Sequence, residues 1–476
     1  MWQYRHVPKT WQAREMALIP KKPNSITLAE LRPLMLLEVL RKLWLSLILK
    51  PIATFINQQQ LICPYQVGGI PNSGTEDAIL QVINALEDST ERAENLEILA
   101  FDKAKAFDSP GRLGGISLAW QRLGLPVDVA NYIADCDNFN EIFPRTPHYL
   151  NTPLKTPRLA FHAAMGTPQG CSSASLSYLV VEDIILSTFH SSLPHIDPYL
   201  ARDPNGTLFQ QAPTQFVDDT YVFCRTLSGA QKAINLLQTA EPLLNIRINP
   251  TKTRHFSLQW SPPTSNKQPY YTLADPQPTL SAYTSAGAPI TIDPIPLTQL
   301  TRVLGAHIAP DLATNYMQEA RKQILRITKT MATKRATAST LWAVMKSSIY
   351  PKLTYTIKFT NLSMKDLHYL GAPLRHLLRQ RSNASHLPNA ILFANNATTY
   401  SLPFSDLMTH TAKEKESTML RMLAGPTISQ RTIHSLLARG MRLITDNQSF
   451  TDNPQPCPLL HPITSTLNPQ IITVGR

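Results

Sequence analysis

Cysteine is scarce in this 476-residue chain: Cys63, Cys136, Cys171, Cys224 and Cys457 stand far apart with no C-x-x-C pair. That spacing excludes a readable disulfide framework or zinc knuckle and points to a reducing compartment. Long hydrophobic runs are also missing. The most apolar stretch, Leu31 to Ile56, is broken by Glu38, Arg41, Lys42 and Lys50, too many charges for a span of about 20 apolar residues. The first twenty residues hold Arg5, Lys9, Arg14 and Glu15 and no apolar core, which argues against a cleaved secretory signal. Glycine is low at 17, whereas proline reaches 39. With 43% apolar residues, disorder throughout is excluded, and the length suits two to four domains.

Acidic residues are in short supply, 33 against 45 Lys+Arg. The imbalance is concentrated: from Arg321 to His410 there are 13 bases and 2 acids. Such a block is the electrostatic footprint of a polyanion partner. A solvated helical face is the alternative, although it ordinarily interleaves acids with bases.

The pattern along the chain is α+β. Apolar spacing from Leu31 to Gln60 predicts one or two buried helices, and Gly74-Thr75-Glu76-Asp77 opens another, with Thr75 as N-cap, running to about Thr90. Leu96 to Phe101 reads as a buried strand ending in Asp102, followed by helix around Leu113 to Leu123. Gly166-Thr167-Pro168-Gln169-Gly170 leads into a helix from Ser173 to His190. Thr214 to Phe223 reads as a hairpin with Asp218-Asp219 at its turn, then a helix from Ser228 to about Leu244 and a strand at Ile246–Asn249. Residues 257–300 carry eight prolines and are expected to be an extended insertion or linker. Residues 301–424 read as basic helices, and 425–476 as a C-terminal tail.

Three carboxylates, Asp102, Asp218 and Asp219, sit at strand ends or turns. On spacing alone each suits a turn. Grouped with no adjacent base at Asp218, they also suit a divalent cation, because Mg²⁺ takes a few carboxylates together with substrate phosphates, and two such ions clamp both reacting oxygens in phosphoryl transfer.

Five segments in order resemble the successive palm motifs of reverse transcriptases, most nearly those of non-LTR (LINE-type) retrotransposons. They are Phe101-Asp102-Lys103-Ala104-Lys105-Ala106-Phe107-Asp108, Gly166-Thr167-Pro168-Gln169-Gly170-Cys171-Ser172, Phe216-Val217-Asp218-Asp219, Ile248-Asn249-Pro250-Thr251-Lys252-Thr253 and Val303-Leu304-Gly305. Upstream, Ile19-Pro20-Lys21-Lys22 with Leu31-Arg32-Pro33-Leu34 is similar to the family's fingers signature.

The resemblance implies a right-hand polymerase with an antiparallel palm sheet flanked by helices and a helical thumb. Partial fingers would occupy 1–100, interleaved with palm, the palm 101–256 and the basic thumb 301–424. It implies that Asp102, Asp218 and Asp219 hold two Mg²⁺ ions, for which Mn²⁺ could substitute. Phe107 would exclude a ribose 2′-OH from the incoming nucleotide, and Gln169 and Gly170 would position template and base. Lys252 would protonate the pyrophosphate leaving group, and Lys21, Lys22 and Arg32 would meet the triphosphate. The partners are then an RNA template, a DNA primer and dNTPs, with no membrane and no assigned oligomer. Lys329, Lys334 and Arg335 are chosen from the basic block as phosphate contacts.

Two departures stand out. Val217 replaces the family's frequent Ala, and Cys171-Ser172-Ser173-Ala174 lacks the usual Pro. Only eighteen residues precede Ile19, so the expectation is a piece of a longer element protein, acting in the cytoplasm and nucleus if retrotransposition-competent. A catalytically silent relic that only binds nucleic acid is the rival. A viral-type RNA-dependent RNA polymerase fits less well, because it would carry Gly before the Asp pair and a polar residue at Phe107.

Overall fold

The computed structural model describes residues 7–445 apart from 22–26, 28–29, 138–140, 146–160, 204, 263–270, 276–278, 315, 361 and 383–405. The chain opens with β1 (Ala13–Pro20) and β2 (Leu31–Leu36), antiparallel with Ile19 opposite Arg32. The helix expected to begin at Leu31 therefore gives way to strand there. Pro33 has no N–H and forces Arg32 into the extended region, and β2 is an edge strand, where proline is tolerated. α1 (Val39–Gln58) follows, its first N–H groups capped by Glu38. It buries Leu45, Leu49 and Ile56 but leaves Val39, Leu40, Leu43 and Leu47 exposed, so it is not the wholly buried helix expected.

α2 (Thr75–Arg92) starts one residue earlier than predicted, with Gly74 as N-cap and the Gly74 N–H donating to Asp77 Oδ2 at 2.7 Å. β3 (Leu96–Phe101) comes next, then α3 (Leu118–Arg122), α4 (Val127–Asp135), and β4 (Glu141–Arg145), which lies parallel to β1. α5 (Ala174–Ser192) precedes a short ribbon, β5 (Leu200–Arg202) with β6 (Leu208–Gln210). β7 (Thr214–Phe216) and β8 (Asp219–Cys224) form the expected hairpin, followed by α6 (Leu227–Ala240).

β9 (Arg254–Ser261) and β10 (Thr272–Ala274) complete a five-stranded antiparallel sheet in the order β10-β9-β3-β8-β7. Its centre, β3, is buried on both sides. Ile98 packs with Ile79, Val82 and Leu86 of α2, while Leu99 and Phe101 pack with Ile185 and Phe189 of α5 and Ile234 and Leu237 of α6. Each such side chain contributes about 1.5–3 kcal/mol. That is why β3 reads as a continuous apolar run. The segment Ile246–Asn249 does not form a strand: Pro250 interrupts it, and only an isolated bridge from Ile248 to Lys103 remains.

The described parts of residues 257–300, expected to be an extended insertion or linker, form strands. β11 (Leu280–Tyr283) and β12 (Pro289–Ile292) form a hairpin that buries Leu280, Ala282 and Ile292 against α6. Gln231 and Gln238 of α6 bond the Ser281 and Tyr283 backbones. A two-stranded ribbon leaves free edges on which proline removes no needed donor.

β13 (Thr301–Val303) and β14 (Ala306–Ile308) make a further hairpin. Helices α7 (Met317–Ala332), α8 (Ala338–Val344), α9 (Tyr350–Ile357), α10 (Met364–Arg381) and α11 (Leu407–Leu423) then close around Ile324, Met345, Leu353, Leu374 and Leu407. The expected tail contains α12 (Thr427–Thr445). Arg439 on α12 is 5% exposed and reaches Glu87, Asp88 and Glu91 of α2 at 3.1–3.3 Å. Free of proline from Thr427 to Thr445, this stretch is held by ion pairs that its composition does not announce. Lys358–Glu76 (2.8 Å) and Arg421–Asp77 (2.7 Å) strap the same face of α2. Among the described residues no helix is long and apolar enough to cross a membrane.

Candidate active site

The register places the acidic residues. Phe101 is opposite Thr220 and Phe216 is opposite Asp219, so Asp102 leaves β3 beside the start of β8, where Asp219 begins the strand and Asp218 occupies the turn. The three carboxylates act on one another. Burial raises the Asp218 pKa above the ordinary Asp range, with Glu182 and Asp102 adding to it. Burial, then Asp218 and Asp102, push Asp219 up to about 7. Asp102 Oδ2 is shielded from solvent without a hydrogen-bond donor and faces Lys252 Nζ at 3.4 Å.

Among the described residues no three carboxylate, imidazole or thiol groups stand together as a finished ion cage. The hairpin instead offers acid crowded on acid, offset at Asp102 by the Lys252 ammonium at 3.4 Å, a donor set whose remaining repulsion a hard divalent cation relieves.

The turn between β7 and β8 is itself strained. Val217 sits at φ +59, a region costly for a β-branched residue. Gln66 Oε1 accepts from the Val217 N–H at 3.2 Å, and Gln215 Nε2 donates to its carbonyl at 3.1 Å. The Lys252 turn is tied to the same place, because the Asn249 N–H donates to the Asp102 carbonyl at 2.6 Å and the Lys252 N–H to Asn249 at 3.1 Å.

The Gly166–Gly170 turn docks on two partners. The Thr167 N–H donates to the Phe107 carbonyl at 2.7 Å, and the Met35 N–H of β2 to the Gln169 carbonyl at 2.8 Å. Gly166 (φ +78) passes so close to Asp108 that a Cβ would meet its backbone at 2.5 Å; at Gly170 (φ +112) it would meet the Met35 carbonyl at 2.7 Å. Only glycine fits either position. The turn and Phe107 thereby wall a cleft of about 530 Å³ lined by Lys42, Ser46, Phe107, Gln169, Gly170 and Cys171, within the size range of small-ligand sites.

Lys21 is exposed, and its charge reaches Asp108 beside Phe107. Arg32 is exposed on β2. Lys22 lies outside the described residues. Lys329 is exposed near the end of α7, with Lys334 and Arg335 in the turn beyond it. Arg381 caps that helix end through the Ala332 and Lys334 carbonyls at 2.8 and 3.1 Å.

Sequence reasoning passed over a buried polar cluster beneath the site. Lys103 is fully buried, paired with Glu182 of α5 and, at 3.4 Å, with Glu241. Burial works to strip its charge, but the two acids outweigh it and hold its pKa above the ordinary lysine value. A signal existed: Glu182 falls inside the apolar run Leu179-Val180-Val181-Glu182, and a carboxylate buried in a helix requires a partner. Lys42 in the cleft wall was also missed, being one charge among several on α1.

An antiparallel palm sheet carrying carboxylates at the ends of adjacent strands and flanked by helices defines a right-hand polymerase of mixed α+β class. The profile of the family described as reverse transcriptase (RNA-dependent DNA polymerase) matches residues 19–279, and the chain belongs to that family.

No curated protein matches. Similar solved structures include telomerase from Candida tropicalis in complex with a TWJ fragment of telomeric RNA, at 12% identity and TM-score 0.44, covering 96% of this chain and 64% of that one. Telomerase from Candida albicans with the same kind of RNA fragment is 9% identical, TM-score 0.39, covering 88% and 63%. Apo telomerase from Candida tropicalis truncated from its C-terminal domain is 12% identical, TM-score 0.38, covering 57% and 54%. The chain thus spans less than two thirds of the length of these proteins.

Proposed function

We propose that the protein is an RNA-directed DNA polymerase that extends a DNA primer on an RNA template from dNTPs. The observation that carries this reading is the register that sets Asp102, at the end of β3, beside Asp218 and Asp219 at the start of β8, where burial and then the neighbouring acids raise Asp219 to about 7. Reverse transcriptases use divalent metals, and here Asp102, Asp218 and Asp219 would hold two Mg²⁺, or Mn²⁺. Such ions supply activation of the primer hydroxyl and charge neutralisation on the phosphates.

The chain's own groups do the rest. Phe107 bars a ribose 2′-OH at the cleft wall, while Gln169 and Gly170 seat the base and template. Lys21, Lys22 and Arg32 meet the triphosphate, and Lys252, opposite Asp102, supplies a proton to the departing pyrophosphate.

In this reading the fingers lie within 1–100, the palm in 101–256, joined by the packed hairpins of 257–300, and the thumb in 301–424. Lys329, Lys334 and Arg335 there grip duplex phosphates. The spelling Lys105-Ala106-Phe107-Asp108 and Ile19-Pro20-Lys21-Lys22 supports an origin in a non-LTR retrotransposon, the enzyme working in the cytoplasm and nucleus. Primer extension on an RNA template with dNTPs and Mg²⁺ tests the proposal. Extension by the native chain and its loss in Asp218→Asn support it; no extension with duplex binding retained assigns the chain to the silent nucleic-acid binder.

A further inference from the structure

Phe107 lines the cleft, and its ring needs support from the core. That support is Tyr178 of α5: the ring centroids are 4.7 Å apart and the planes inclined by 30°. Tyr178 is fully buried, and its hydroxyl donates to Glu182 Oε1 at 2.5 Å. Glu182 Oε2 pairs with Lys103, the residue after Asp102, and accepts from Gln215 Nε2 at 2.6 Å. The same Gln215 nitrogen holds the carbonyl of Val217, the residue before Asp218. One carboxylate thus fixes the ring behind Phe107, the end of β3 and the turn between β7 and β8.

We propose that Tyr178 is a specificity-determining positioning residue, which holds the Phe107 ring against the cleft while Glu182 sets that ring in register with the Asp218 turn. This rests on the steric role given to Phe107 above. A ring rejects a single hydroxyl only if it cannot retreat, because contact with one extra small group discriminates weakly unless the wall is rigid. The stack prevents retreat toward α5. Removing the Tyr178 ring opens space behind Phe107, and the ribonucleotide gains more than the deoxynucleotide does.

The test uses the full chain on an RNA template with a DNA primer and compares kcat/KM for dCTP and CTP. Tyr178→Leu is expected to lower the dCTP:CTP ratio by about tenfold, the scale of one misplaced contact, chiefly through a lower KM for CTP. Tyr178→Phe keeps the stacked ring but loses the bond to Glu182, so its ratio is expected to fall less than that of Tyr178→Leu. In the Phe107→Ala background Tyr178→Leu adds no further fall, since the two act as one unit.

Competition of dCTP and CTP for a complex stalled on a dideoxy-terminated primer should show the same shift without chemistry. Tyr178→Met is carried in parallel, with thermal melts, so that a folding defect in one variant does not silence the test. If Tyr178→Leu and Tyr178→Met each slow dCTP and CTP equally while Phe107→Ala relaxes the ratio, Tyr178 is only core and the positioning role is refuted. If Phe107→Ala itself leaves the ratio unchanged, the steric role of Phe107 falls and the positioning role falls with it.

Discussion

Replacing Asp219 by Asn is expected to stabilise the metal-free protein while abolishing extension. Burial and the neighbouring Asp218 and Asp102 hold the Asp219 carboxyl at about 7, against about 3.9 in an unfolded chain. A carboxyl raised on folding opposes the fold once pH exceeds its unfolded value. Between about pH 4 and pH 7 the unfolded chain has released a proton that the folded chain still binds, so stability falls as pH rises through that window and levels off above it.

A difference of about three pH units, at 1.36 kcal/mol each, sets the ceiling near 4 kcal/mol. Asp219 is partly open to water, and screening reduces the expected cost to about 2 kcal/mol. Asn has no proton to lose. In EDTA at pH 7.5 the variant should therefore unfold about 2 kcal/mol later than the native chain in urea, and the two curves should converge near pH 4. Millimolar Mg²⁺ should raise the native midpoint at pH 7.5 and move the variant less, because a ligand stabilises only the state that binds it. A variant no more stable than the native chain at pH 7.5, or equally favoured at both pH values, would refute the crowding of charge on which the metal assignment rests.

Gly166→Ala places a methyl within 2.5–2.6 Å of the Asp108 backbone at φ +78; strain and overpacking should cost about 3 kcal/mol, visible in a thermal melt, and extension should drop because the Phe107 turn is displaced. Arg439→Met leaves Glu87, Asp88 and Glu91 without their shared guanidinium. Arg92 and Arg202 still serve Asp88, and Arg202 serves Glu91, so the loss should be about 3 kcal/mol, at the low end for a broken buried pair; a urea shift below 1 kcal/mol would show that α12 is not clamped. Neutralising Lys329, Lys334 and Arg335 together should flatten the dependence of duplex affinity on salt, by about 0.9 in log–log slope per lost phosphate contact on a B-form duplex. An unchanged slope would move the grip elsewhere in the basic block.

The parts of the site that were legible in the sequence are those in which local chemistry and tertiary role coincide. β3 reads as buried because both its faces are covered. Asp218 reads as a turn residue because it is one. Gly166 and Gly170 stand where a backbone approaches another at less than a Cβ's width. Misreadings arose where a local cue had a different tertiary use. Ile246–Asn249 alternates like a strand but meets Asp102 and Lys103 through isolated bonds. Among the described prolines of 257–300, Pro289 stands in β12 of a two-stranded ribbon, a place as open to proline as a linker is.

The Glu182 cluster shows a different kind of limit. Its partners Lys103 and Gln215 lie 79 and 33 positions away, and no spacing rule joins residues that meet only across a sheet–helix packing. The sequence nevertheless contains half of the statement, an acid inside an apolar helix, and burial physics supplies the rest. Such an acid demands a buried cation, and a buried cation is tolerable only where several acceptors converge. In this fold that convergence occurs directly beneath Asp102 and the Asp218 turn. Residues that look like lapses in a hydrophobic pattern are therefore where the supports of a charged site should be sought.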